Sequence, residues 1–208
     1  RCAPKTKLRR SPRQAVRTPV KPDWSGKTVL VVCTGPTLDV PAVQASHLPK
    51  IAVNTAYTIL PNADVQYAGD ALFWRVHHAR MRKAVKHPNF WTVSPGEWAG
   101  VQRWKGVNRN GLGETMVHLN GNSGAQAINL AYLFGARRIL VAGMTMSAPG
   151  GRKHFHGDHE YPLVQSQCFD EWLHKLNAVA RDAERLGVEI TNCDPESRAT
   201  MFKQGAIE

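Results

Sequence analysis

Short runs of apolar residues recur along the chain, separated by polar or glycine-containing turns. The run at 27–33 is a continuous β-branched run and the run at 139–142 is wholly apolar, as is typical of strands buried on both faces of a parallel sheet. Three further strands are predicted from similar short runs at 51–54, 65–68 and 188–192. The pattern therefore predicts five strands at the core of the protein.

Apolar positions recur at helical spacing in three segments between these strands. The first, 71–90, is basic and amphipathic and is predicted to be helical as far as Pro88. The second follows the polar turn at 120–124, where Asn122 or Ser123 can cap a helix that Gly135 ends. The third covers 163–187. This order of elements predicts an α/β fold, with a single Rossmann-like domain over 24–208 whose mainly parallel sheet is flanked by helices.

Residues 91–120 are rich in Trp, Gly and Asn and show little periodicity. The segment is predicted to be an irregular lid or an excursion at the sheet edge. Its tryptophans and basic residues also suit the wall of a pocket that contacts sugar rings or bases.

Small polar residues follow the predicted strands. Thr34, Gly35, Pro36 and Thr37 follow the first, and Asn54 and Asp70 follow the next two. Ligands of open parallel sheets bind outside the carboxyl ends of the strands, so these residues point to one shared crevice. No GxGxxG motif and no P-loop lysine is present there, so the sequence lacks both the classical dinucleotide-binding fingerprint and the P-loop of ATP-binding proteins.

The turn formed by Asn122, Ser123 and Gly124 leads directly into the predicted second helix. Free backbone amides and the helix dipole point the same way at a helix N-terminus, which makes it a site for an anion such as a phosphate. An ordinary capped helix in an α/β core would show the same pattern.

Positive charge is concentrated at the N-terminus. Residues 1–22 hold eight Lys or Arg and no acidic residue, which is +8 of the formal net charge of +11 and leaves +3 for the remainder. The Pro-containing segment 1–23 is therefore predicted to be an extended arm. It would attract nucleic acid or another polyanion, act as a solubilising tail, or pack on a partner subunit of a homo-oligomer.

Histidines cluster in the sequence HFHGDH, which contains His154, His156, Asp158 and His159. This string matches the HxHxDH metal-ligand string of the metallo-β-lactamase superfamily, and such ligands can hold zinc and activate water. That superfamily needs further His and Asp ligands on later strands, and His174 is the sole later histidine. We therefore favour a mobile loop that supplies one histidine as a base, with Arg152 or Lys153 on a phosphate.

The motifs CTGPTL, AVN, YAGD and NSGAQAINLAYLFGARRILVAGMTM, followed by a His-rich loop, together resemble one family. The order is similar to that in bacterial lipooligosaccharide sialyltransferases and in the related motility-accessory-factor glycosyltransferase-like proteins. It also resembles uncharacterised phage-encoded proteins with a GDH-containing loop. The resemblance covers roughly residues 27–195. Archaeal-type hydroxymethylpterin diphosphokinases share the general framework.

The resemblance implies roles for particular residues. Thr34, Gly35 and Pro36 match a turn that meets a nucleotide, although the sialyltransferases have Asn where Thr34 stands. Asn54 matches a nucleotide-contacting Asn, and Asn122, Ser123 and Gly124 match the loop that contacts the cytidine nucleotide, with Asn122 replacing a Thr. His154, His156 or His159 would be the catalytic base, and His156 is favoured. The family's phosphate-binding tyrosines have no clear equivalent, with only Tyr161 nearby.

These observations predict a transferase that uses an activated nucleotide donor, most simply a nucleotide-sugar glycosyltransferase acting on a hydroxyl acceptor. Asp70 would hold ribose or a divalent metal. The alternatives are a metal-dependent diphosphokinase-type transfer and a non-catalytic nucleotide- or nucleic-acid-binding protein, with a metallohydrolase less favoured. No apolar run approaches the roughly 18 residues of a membrane span. The scattered cysteines fit a reducing, cytoplasmic setting, which would be that of a host if the chain is phage-encoded.

Overall fold

The fold is built on one eight-stranded sheet in which every neighbouring pair of strands is parallel. The computed structural model describes residues 19–160, 162–163 and 168–207. The strands are β1 (Thr28–Val32), β2 (Lys50–Val53), β3 (Val65–Tyr67), β4 (Phe90–Thr92), β5 (Val101–Arg103), β6 (Gly106–Val107), β7 (Val117–His118), β8 (Arg138–Ala142), β9 (Glu189–Asn192) and β10 (Lys203–Gln204). The large sheet has the order β10-β9-β8-β1-β2-β3-β4-β5, and β6 pairs with β7 separately.

Four α-helices connect the strands. They are α1 (Val40–Ala45), α2 (Ala71–Ala84), α3 (Ser123–Leu133) and α4 (Phe169–Arg185). Short 3₁₀ turns lie at Asn54–Thr58 and Pro149–Gly151. This architecture confirms the predicted α/β class and the mainly parallel sheet flanked by helices.

Strand β1 lies at the centre of the sheet because its apolar side chains pack on both faces. Val29 and Val31 join the apolar cluster that contains Ile128 of α3. Leu30 and Val32 join a second cluster that contains Val43 of α1. Alternate side chains of a strand point to opposite faces, so a continuously apolar strand requires helices on both sides.

The predicted element boundaries need three corrections. Helix α2 ends at Ala84 and not near Pro88, and α4 begins at Phe169 and not at position 163. The segment 91–120 is less irregular than expected, because it contains β5, β6 and β7, and β4 ends within it at Thr92. These strands have only two or three residues each, too few for an apolar period to emerge.

The first described residues already contact the sheet-and-helix body. Trp24 packs edge-on against Phe134 with ring centroids 5.4 Å apart, and its backbone N–H donates to the Phe134 carbonyl at 2.7 Å. Lys21 lies over the ring of Trp104. The predicted arm falls mostly on residues 1–18, outside the described residues, so the domain boundary at 23/24 stays a prediction. In the part of the chain that the structure describes, no helix is both long and apolar enough to span a membrane.

Candidate functional site

A cavity of about 310 Å³ opens at the carboxyl ends of the central strands β1, β2 and β8. Its volume lies at the lower end of the range of small-molecule sites. The predicted residues that line it are Thr34, Gly35, Pro36, Asn54, Asp70, Asn122, Ser123, Gly124, His154 and His159. The structure therefore brings the predicted strand-end residues and the predicted helix N-terminus together in one crevice.

The N-terminus of α3 forms one wall. The Asn122 side-chain oxygen accepts hydrogen bonds from the backbone N–H groups of Gly124 at 2.8 Å and Ala125 at 3.1 Å. Asn122, and not Ser123, is therefore the capping residue. A Cβ at Gly124 would lie 2.7 Å from the Cys33 sulfur and 2.9 Å from the Met144 methyl carbon, so glycine allows α3 to approach the strand ends closely.

Asn54 combines an unusual backbone with an unsatisfied side chain. It has a φ of 51°, in the left-handed region, immediately after β2. Its buried Oδ1 atom has no hydrogen-bond partner among the described residues, and the residue lines the cavity. Backbone strain and an unpaired buried acceptor both cost free energy, and they concentrate at sites where a ligand is held.

The turn after β1 packs tightly on the turn after β8. The Gly35 N–H donates to the Gly143 carbonyl at 2.8 Å. A Cβ at Gly35 would lie 2.5 Å from that carbonyl oxygen and 2.4 Å from the Thr145 hydroxyl, so the close approach requires glycine. Cys33, which precedes this turn, is a neutral thiol because burial raises its pKa to about 12.

Thr37 lies outside the cavity lining, unlike its three predicted neighbours. Its hydroxyl is 2.6 Å from the Thr145 hydroxyl and donates to the Asp194 carboxylate at 2.6 Å. The Thr145 hydroxyl also donates to that carboxylate oxygen at 2.6 Å. Thr37 thus stabilises the loops at the strand ends through these hydrogen bonds and does not line the cavity.

The histidine loop, residues 154–159, contacts the strand ends at Thr34 and at Thr55. The Phe155 N–H donates to the Thr34 carbonyl at 3.0 Å, and His154 Nδ1 lies 3.1 Å from the Thr34 hydroxyl. His156 Nε2 lies 2.7 Å from the Thr55 hydroxyl. His154 is buried and His159 half-buried, and both line the cavity, whereas His156 is exposed and lies outside the lining.

Two of the three imidazoles are neutral at neutral pH. Desolvation, with a smaller contribution from His154, lowers the pKa of His156 to about 4. Desolvation, with a contribution from His156, also lowers the pKa of His159 below its usual 6.5. A neutral imidazole has a free lone pair, so either ring can accept a proton or bind a metal ion.

The remaining predicted residues divide between cavity and surface. Asp70 lines the cavity, and its carboxylate caps α2 by accepting from the Leu72 N–H at 2.6 Å. The Arg152 guanidinium donates to the Pro36 carbonyl at 2.9 Å and lies outside the lining, whereas Lys153 is part of it. Asp158 is exposed and does not belong to the group of potential metal ligands formed by the histidines.

Several lining residues escaped the sequence analysis. Phe169 and Trp172 have helical apolar spacing, and they reach the cavity from the first turn of α4. Periodicity alone cannot separate a residue that faces the core from one that lines a pocket beside it. Tyr161 and residues 1–18 lie outside the described residues, so their predicted roles stay predictions.

The comparisons with known proteins agree with this architecture. No protein-family model matches the chain, and no curated protein sequence matches it. Among solved structures, the chain is similar to the sialyltransferase CstII from Campylobacter jejuni with cytidine-5'-monophosphate, at a TM-score of 0.53, 11% identity and coverage of 88% of this chain and 86% of that one. It is also similar to CST-II with a trisaccharide acceptor and CMP, at a TM-score of 0.56, 11% identity and the same coverage of both chains.

A third structure, CstII from Campylobacter jejuni with CMP-3FNeuAc, gives a TM-score of 0.55 at 9% identity and covers 87% of each chain. The likeness extends over most of both proteins and shows a shared fold. The resemblance to the sialyltransferases is therefore confirmed at the level of the fold.

Proposed function

We propose that this protein transfers a glycosyl group from a nucleotide-sugar donor to a hydroxyl group of an acceptor. The observation that carries the proposal is Asn54, whose strained backbone holds an unsatisfied buried oxygen at the cavity, beside the N-terminus of α3. The shared fold adds support, because the structural neighbours were solved with CMP and with a trisaccharide acceptor.

The donor's phosphate is proposed to bind at the N-terminus of α3. The first-turn amides of that helix and the positive end of its dipole favour an anion. Lys153 lines the same cavity and adds a positive charge. Asn54 and Asp70 would contact the nucleoside, for which the Asn54 oxygen is an available hydrogen-bond acceptor.

A loop histidine is proposed as the catalytic base. His154 and His159 line the cavity, so their position supports either of them more than the sequence-favoured His156, whose Nε2 contacts Thr55. His159 is the better candidate, because it has no hydrogen-bond partner among the described residues and its pKa is lowered. Its neutral ring can take up a proton at neutral pH.

The chemistry then needs no redox change. The base takes the proton of the acceptor hydroxyl while the acceptor oxygen forms a bond to the anomeric carbon of the sugar. The bond between that carbon and the phosphate oxygen of the donor breaks, and the nucleotide leaves with the electron pair. The positive end of α3 and Lys153 stabilise the charge that develops on the leaving phosphate.

The first experiment is a thermal-shift measurement with CMP, UDP, their sugars and ATP, each with and without a divalent metal. A nucleotide at 100 times its Kd stabilises the native state by about 2.7 kcal/mol. We expect a metal-independent rise in Tm with one nucleotide class. A rise only with ATP and Mg²⁺ would overturn the proposal in favour of a diphosphokinase-type transfer.

A transfer assay with the identified donor class tests the base. His159→Ala is expected to lower turnover by about 100-fold or more, the usual contribution of general-base catalysis, while nucleotide affinity stays close to that of the parent. His174→Ala, an exposed histidine on α4, is the matched control and should keep full turnover. Full turnover in His159→Ala would remove His159 as the base.

A further inference from the structure

The three imidazoles of the histidine loop lie close to one another. The rings of His154 and His156 are stacked, with centroids 5.0 Å apart and planes within 5°. The His159 ring lies 4.3 Å from His154 and 5.2 Å from His156, inclined to both by about 50°. One ring nitrogen from each residue lies within 4.8 Å of the other two.

We propose that His154, His156 and His159 together bind a transition-metal ion, for which Zn²⁺ is the best fit. Imidazole is the preferred nitrogen ligand of zinc, and three protein ligands with one open position form a recurrent zinc geometry. The hard ions Mg²⁺ and Ca²⁺ prefer oxygen ligands and would be rejected. The site itself does not depend on the proposed transfer reaction.

The tautomer of His154 is fixed in a way that suits a ligand. Its Nδ1 lies 3.3 Å from the Thr34 carbonyl oxygen, which can only accept, and 3.1 Å from the Thr34 hydroxyl. Nδ1 is therefore a protonated nitrogen, and the nitrogen that would bind a metal ion is Nε2. Metal-binding histidines are commonly oriented in this way by a carbonyl or hydroxyl on the other nitrogen.

His156 has a similar outer partner. Its Nε2 lies 2.7 Å from the Thr55 hydroxyl, which leaves Nδ1 for the metal. Phe155, between the two histidines, packs with the apolar cluster around Leu30, and its N–H donates to Thr34. This anchor holds His154 and His156 beside each other without using their ring nitrogens.

The distances require a small movement of the loop. Zn–N bonds of about 2.0–2.1 Å place tetrahedral nitrogens roughly 3.4 Å apart, which is closer than the 4.8 Å that bounds the group. Gly157 lies between His156 and His159 with a φ of 89°, and a Cβ there would meet no atom within 4 Å. Gly157 is therefore not held by packing, and a glycine backbone allows the change of conformation that brings His159 towards the ion.

Metal binding would inhibit glycosyl transfer, an inference that rests on the proposed function. An imidazole whose lone pair is on the metal cannot accept the acceptor's proton. The metal-bound protein and the transfer-competent protein would then be alternative states of one loop. Zn²⁺ would act as an inhibitor that competes with turnover, whereas chelation would restore it.

The test uses Co²⁺ as a spectroscopic probe on the full chain. We expect visible absorption typical of four-coordinate Co²⁺ at one equivalent, removed by Zn²⁺ and unchanged by Mg²⁺. Each of His154→Ala, His156→Ala and His159→Ala should weaken Co²⁺ binding by about 100-fold or more. Thr55→Val, which removes only the outer partner of His156, should weaken it by about tenfold.

Two exposed histidines outside the loop serve as controls, and His47→Ala and His174→Ala should bind Co²⁺ as the parent does. Circular dichroism and the metal-free Tm check that each variant folds, and His159→Gln replaces the alanine variant if that one does not. Unchanged affinity in the loop variants would overturn the proposal. Intense near-ultraviolet thiolate bands would do the same, because they would assign the ion to cysteine. Metal binding without any glycosyl transfer would contradict only the proposed function.

Discussion

The Thr145 hydroxyl donates a hydrogen bond of 2.6 Å to the Asp194 carboxylate, 49 positions later in the chain. The bond joins the loop after β8 to the loop after β9 beneath the cavity. The Thr37 hydroxyl donates to the same carboxylate oxygen at 2.6 Å, so Asp194 also binds the loop after β1. Asp194 is 2% exposed, and its carboxylate is held by these hydroxyls and by the Glu196 backbone N–H, which donates to Oδ1 at 3.1 Å.

Replacement of Asp194 by Ala should destabilise the fold. Two hydroxyls would lose their shared acceptor in a buried place, which costs about 1–3 kcal/mol in the free energy of unfolding. Urea denaturation measures this change. Asp170→Ala is the control, because the Asp170 side chain is 87% exposed and pairs with Arg198 only at the surface. Equal stability of both variants would show that the buried network contributes nothing.

Asn122 has two separable roles that a pair of variants can distinguish. Asn122→Ala removes the cap of α3 and should lower stability by about 1 kcal/mol. Asn122→Asp keeps an acceptor for the Gly124 and Ala125 amides and should stay as stable as the parent, since a negative charge suits a helix N-terminus.

The same aspartate should impair the binding of a phosphate-bearing ligand. A carboxylate beside the proposed phosphate position repels it, and a penalty of about 1.4 kcal/mol lowers affinity tenfold. Nucleotide affinity, measured by calorimetry, should therefore fall in Asn122→Asp although stability does not. Parent-like affinity in that variant would contradict an anion site at α3.

Acidification should destabilise the protein through the loop histidines. The pKa of His156 is about 4 in the folded protein and 6.5 when unperturbed, so the unfolded chain binds a proton first as the pH falls. Stability is then fully present above about pH 6.5 and is lost progressively towards about pH 4. The lowered pKa values of His159, His77 and His78 act in the same direction.

The measurement is the urea midpoint at several pH values in the presence of a chelator. His156→Asn should lose less stability than the parent between about pH 7 and about pH 5, because it removes one titrating group. His174→Asn should follow the parent, since His174 is exposed. A steeper loss in His156→Asn would mean that the sign of the pKa shift is wrong.

The central part of the fold could be predicted because its sequence signals are strong and local. Residues 29–32 of β1 and 139–142 of β8 are continuously apolar, and α3 has both a capping Asn122 and a terminating Gly135, whose φ is 104°. The sheet edges could not be predicted, because the edge strands β5 and β10 have only three and two residues. Such short strands are defined by their neighbours and not by their own periodicity.

The site residues also divide into those that local sequence signals identify and those that contacts between distant segments define. Residues that follow strongly predicted strands, such as Asn54 and Asp70, were found because parallel strands bring their carboxyl ends to one edge. Asp194 and Trp172 were missed because their roles depend on contacts between distant segments, in a buried hydrogen-bond network and a cavity wall. Among the loop histidines the sequence favours His156, and only the packed loop shows that His156 is exposed outside the cavity lining whereas His159 is half-buried within it.

Lys153 and Arg152 are adjacent cations with different surroundings. Lys153 lines the cavity, whereas the Arg152 guanidinium donates to the Pro36 carbonyl outside the lining. We expect Lys153→Met to weaken nucleotide binding by about tenfold or more, because a hydrogen bond to a charged group contributes about 1.5–3 kcal/mol. Arg152→Met is the matched control and should change affinity little.

Calorimetry at low and high salt completes this comparison. The loss in Lys153→Met should shrink as salt rises, because screening weakens the attraction of a partly exposed cation for phosphate. A larger loss of affinity in Arg152→Met than in Lys153→Met would show that the arginine leaves Pro36 to bind the phosphate. Arg152 would then be the cation that binds the phosphate.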